Sequence, residues 1–209
     1  EAYKASSSDN PLAWYFSALD QFQSGNSTQA LQDLAEATRK PGFKAELAPT
    51  LQAVEELHIS AGRAGDEARV LAFQACAQVP HLMPMRDLAR AMQDAAERSR
   101  QRGDEDSAEA LAGAGLMLGR HLSAGGGSQT LINQLVGISI EKRFLQLLDP
   151  NREQDPFGRS VAAVRAAVDR HQATLRDYAQ SLAGLTVRLD DRELATYLER
   201  VKLHGEEAA

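Results

Sequence analysis

Apolar residues recur along this chain in steps of three and four, and no segment alternates apolar and polar as a strand would. The spacing predicts about nine helices. Asn10-Pro11 opens the first one, with an N-cap amide followed by Pro at the first helical position, where no N–H is needed. Trp14, Tyr15, Ala18, Leu19 and Phe22 carry its apolar face to Gly25, and Ala30, Leu31, Leu34 and Ala37 carry the returning helix to Pro41-Gly42. A second pair is predicted over about 49–62 (Val54, Leu57, Ala61) and 66–79, and a third over 84–102 and about 104–122. Within the third, Met85, Leu88, Ala89, Met92, Ala95 and Ala96 form one stripe, and Ala108, Leu111, Ala112 and Gly115 another. Each pair turns at a Gly followed by Asn or Asp. These glycines, Gly25, Gly65 and Gly103, lie 40 and 38 residues apart, the signature of stacked helical hairpins.

The second half reads differently. Ala124-Gly125-Gly126-Gly127-Ser128 is the best boundary candidate. Leu131, Ile132, Leu135, Val136, Ile138 and Ile140 then give a helix apolar on much of its circumference, which should be central, with the third hairpin on one side. After a break containing Pro150 and Pro156, with Asp155-Pro156 read as N-cap and first turn, the steps of four and three resume. Phe157, Val161, Val164, Val168, His171, Leu175, Tyr178, Leu182 and Leu185 form a heptad seam about eight turns long, which should pack on the central helix. Asp190 and Glu193 make a capping box for a last helix. The predicted organisation is a loose segment 1–9, three hairpins over 10–124, and a C-terminal helical unit over 125–209 packed on them as one cooperative domain.

The first hairpin resembles a tetratricopeptide repeat, with Trp14, Ala18, Gly25, Ala30, Ala37 and Pro41 at the family's aromatic, small, turn and closing positions. The third keeps Ala96, Gly103, Ala108 and Gly115 but has Met92 in place of the aromatic, and the middle one keeps only the turn. The resemblance covers roughly residues 10–122, at a period longer than the family's ~34. It implies an all-α, right-handed α-α superhelix whose concave face binds a peptide or partner protein.

Composition narrows the function. A net charge of −6 argues against nucleic acid as a partner, and no apolar run approaches the length of a membrane-spanning helix. The arginines Arg86, Arg90, Arg98, Arg100 and Arg102 are interleaved with acids and read as a solvated face rather than a phosphate patch. Cys76, the single cysteine, reads as core packing. Glu55 and His58 read as a surface pair, and no other histidine has metal-ligand spacing. Phosphate loops and nucleophile elbows are absent from the sequence. The polar stretch 1–10 resembles the segment left behind a removed signal peptide or anchor, which favours a periplasmic or exported location over a cytoplasmic one. The reading is therefore a non-enzymatic interaction or scaffolding module without cofactor or metal, acting through the concave face or the long seam. The alternative is a helical small-molecule or sensor domain, with Asn133, Gln134 and Ser139 facing the ligand. The candidate interaction or switch residues are Tyr15, Tyr178, Leu182 and the polar seam residue His171.

Overall fold

Nine helices are present among the described residues, and no strand. The computed structural model describes residues 9–43, 47–76, 81–123, 130–148, 153–186 and 190–204. The helices are α1 (Pro11–Gln23), α2 (Ser27–Thr38), α3 (Leu47–Ser60), α4 (Gly65–Cys76), α5 (Leu82–Gln101), α6 (Glu105–Ser123), α7 (Leu131–Leu147), α8 (Val161–Thr186) and α9 (Asp191–His204). Asn10 caps α1 by accepting the Leu12 N–H at 3.0 Å. The box before α9 closes in both directions, Glu193 N to Asp190 Oδ1 at 2.8 Å and Asp190 N to Glu193 Oε2 at 3.0 Å. The Gly125-Gly126-Gly127 boundary lies outside the described residues.

The three hairpin turns share one geometry. Asn26 N donates to Gln21 O, Arg63 N to His58 O and Asp104 N to Ser99 O, at 2.8, 3.1 and 2.9 Å. Each donor follows a glycine with positive φ, namely Gly25, Gly62 and Gly103, as in a Schellman closure. The turn residue of the second hairpin is thus Gly62, not Gly65, which instead opens α4. The α3 stripe is corrected too: Leu51 and Glu55 are buried, whereas Leu57 is 65% exposed.

The hairpins do not stack in chain order. Helices α1 and α2 pack on α5 and α6 respectively, so the first hairpin lies against the third, while α3 and α4 pack on α9. Among the described residues, the buried apolar side chains form two groups. The larger draws on α1, α2, α5, α6, α7 and α8. Leu51, Ala68, Ala72, Ala195, Leu198 and Val201 form the buried apolar positions of the smaller group, laced by alternating charges. Glu55 meets Arg69 at 3.1 Å and Lys202 at 3.2 Å, and Glu199 meets Arg69 at 3.1 Å and Lys202 at 3.0 Å. Glu55 is a buried link between three helices rather than half of a surface pair with His58.

Helix α7 is central as expected, packing most extensively on α6, then on α8 and α5. Glycines permit the α6–α7 approach: a Cβ on Gly137 would lie 2.5 Å from the Gly119 carbonyl oxygen, and one on Gly115 2.4 Å from the Phe144 ring. Arg165 donates to Leu145 O at 2.9 Å and Arg100 donates to Leu147 O, so two guanidiniums satisfy orphan carbonyls at the end of α7.

Candidate functional site

The predicted candidate residues do not converge on one surface. Tyr15 is fully buried, which corrects its reading as an interaction residue. Its ring meets Phe43 and His121 edge-on, both at 5.9 Å between centroids, and its hydroxyl lies 3.0 Å from His121 Nδ1. Burial pushes the His121 pKa down to about 4 against a hydrogen bond to the Lys40 backbone, so the ring is neutral at pH 7. Trp14, at the repeat family's aromatic position, is half-buried, with the Lys40 ammonium 5.7 Å from its ring centroid.

His171 is half-buried in α8 with Nε2 3.2 Å from Gln134 Oε1 of α7. Tyr178 is half-buried, and the side chain of Leu182 lies outside the described residues. The seam positions Val161, Val164, Val168 and Leu175 are buried, and α8 packs on α7. Over this stretch the seam is an internal contact. Of the three polar residues of the alternative reading, Asn133 and Gln134 are buried and only Ser139 is exposed. Cys76 is half-buried, and burial pushes its thiol up, away from a reactive thiolate.

One surface feature with a defined shape among the described residues is a groove between α2 and α6, of about 640 Å³. Its apolar wall comes from Leu31, Leu34 and Ala35 on α2 and from Ala110, Gly113 and Ala114 on α6. Asp106 and Glu109 give one part an acidic rim. Their position in the first turns of α6 also suits the helix dipole.

Pro156 and Phe157 border the groove, and their loop is tightly specified. Asp155, expected to cap a helix, is 2% exposed and organises this loop instead. Its Oδ1 accepts the N–H groups of Phe157 and Arg159, each at 2.9 Å, and its Oδ2 meets the guanidinium of Arg159 and lies 3.9 Å from Arg120. The cap of α8 is Ser160, whose Oγ accepts the Ala163 N–H at 3.3 Å. Pro156 seats on Gly113, where an added Cβ would lie 3.2 Å from the proline ring. Phe157, expected in the seam, stands out with 44% of its surface exposed between the guanidiniums of Arg159 and Arg120, 5.4 and 6.0 Å from its centroid.

Behind this loop lies a buried polar network. Ser123 donates to Glu141, and Arg120 Nε lies 3.7 Å from its other oxygen. Burial raises the Glu141 carboxyl pKa, while Ser123, Arg120 and His171 oppose the rise. Arg120 thus ties Glu141 of the core to Asp155 under the groove.

The described residues contain no group of three or more side chains placed to hold a metal ion, and no helix long and apolar enough to cross a membrane. Compared with protein-family models, curated proteins and solved structures, the chain shows no significant match to any of them.

Proposed function

We propose that this chain is a non-enzymatic protein-interaction module whose α2–α6 groove receives an apolar peptide segment carrying a neighbouring basic residue. The observation that supports this most is Phe157. It is a large apolar ring held out beside an apolar groove by a buried carboxylate, two backbone hydrogen bonds and a proline seated on glycine. Fixing an exposed aromatic in this way lowers the ordering cost of binding, and aromatic anchors dominate interface energetics. The volume of about 640 Å³ falls within the ~300–1,000 Å³ range of ligand clefts. The rim residues Asp106 and Glu109 favour a cationic side chain next to the apolar anchor.

Peptide display against the folded chain tests the reading. Enriched peptides should pair a large apolar residue with Lys or Arg. Their binding should be lost with Ala110→Arg, which fills and recharges the groove from an exposed helical position, and kept with Gln52→Arg on the exposed face of α3. Failure to enrich any peptide, or equal binding to Ala110→Arg, would rule the groove out as the docking surface.

A further inference from the structure

On a face built by α5 and α7, Arg86, Arg90 and Arg143 line a second, smaller cleft of about 270 Å³ together with the hydroxyl-bearing Ser139. Its apolar part includes Ala89 and Val136, and no carboxylate lines it. Arg86 and Arg90 stand four residues apart on one helix, where like charges repel. Arg143 adds a third guanidinium from α7. Among the described residues, only Arg90 of the three has an ion-pair partner, Asp87 at 3.5 Å, and both of those side chains are about half exposed. Three arginines therefore line one concavity in a chain whose net charge is −6.

We propose that this cleft is an oxyanion site for a small organic phosphate bearing an apolar group, independently of the peptide groove. Guanidiniums pair with oxyanions through two parallel N–H donors. Three of them and a hydroxyl present more donors than the two oxygens of a carboxylate can accept, whereas the three terminal oxygens of a phosphate monoester match them. The apolar wall at Ala89 and Val136 takes the substituent. The cleft lies just below the ~300 Å³ lower end of ligand clefts, which limits the occupant to a small molecule or to the headgroup region of a lipid.

Isothermal titration of the full chain with butyl phosphate, inorganic phosphate and butyrate tests this, with Arg143→Gln and Arg86→Gln as variants of exposed residues and circular dichroism to confirm folding. Butyl phosphate should bind more tightly than either other probe. Its affinity should fall about tenfold in each variant, as loss of one charge-assisted pair would cause, and should weaken with salt. Sedimentation with phosphatidate-containing vesicles separates the sources. Binding to vesicles that is lost in both variants assigns the phosphate to a lipid headgroup, and butyl-phosphate binding without vesicle binding assigns it to a soluble ester. No butyl-phosphate binding at millimolar concentration, equal affinity for inorganic phosphate, or affinity unchanged in both variants would overturn the proposal.

Discussion

His121 links acid sensitivity to the core at the residue scale. Its ring is 5% exposed and hydrogen-bonded to Tyr15, and its pKa is pushed down to about 4, against about 6.5 for a free imidazole. As pH falls, the unfolded chain takes up the proton first. The stabilisation is therefore complete above about pH 6.5 and gone by about pH 4, amounting to about 3 kcal/mol. Urea unfolding at pH 7 and pH 4 should show native protein losing about that much more stability than His121→Phe. Equal losses would contradict the burial of a neutral ring. Burial lowers His81 as well, and it acts in the same direction in both proteins. Nothing in the local pattern around Tyr15 reveals this pair, since its partner lies 106 residues away. Helical spacing placed both Trp14 and Tyr15 in α1. Which ring faces the core depends on where α5 and α6 lie, and that is a tertiary property.

At the scale of elements, the close approach of α6 and α7 organises the larger core. A methyl group at Gly137 would meet backbone that can move only if the helices separate, whereas one at Gly113 meets the side chain of Pro156 in a surface loop. Gly137→Ala should therefore cost about 3 kcal/mol or more in urea unfolding, and Gly113→Ala distinctly less. Similar costs would show that the crossing has room to relax. The apolar circumference of α7 was legible as centrality, because a helix apolar on most sides must be covered on most sides. The start of α8 was not. Asp155-Pro156 has the composition of a cap, but Oδ1 of Asp155 is committed to the Phe157 and Arg159 amides, and Ser160 takes the capping role. An unbroken heptad spacing carried Phe157 into the seam on paper. Periodicity cannot distinguish a helical residue from one in the loop just before the helix.

Across the whole molecule, the recurring glycine turns identified hairpins but not their neighbours. The same Schellman closure ends the first helix of each of the three hairpins. The middle hairpin nonetheless joins α9, because its inward positions, Leu51, Glu55, Ala68 and Arg69, match the apolar and charged face of Ala195, Leu198, Glu199 and Lys202. Two separate cores imply separable stability. Leu198→Ala should cost about 2–5 kcal/mol in the α3–α4–α9 group, seen as an earlier loss of far-ultraviolet circular dichroism. The Trp14 fluorescence midpoint, which reports the larger core, should stay in place. A common shift of both signals would mean that the cores unfold together. The groove belongs wholly to the larger core and its attached loop, so binding there should leave the smaller group untouched. Hydrogen–deuterium exchange with and without a display-selected peptide tests this most directly. Peptide docked in the groove should slow exchange over residues 31–38, 106–114 and 155–159 and leave 47–76 unchanged, and protection confined to α8 and α9 would place the peptide elsewhere.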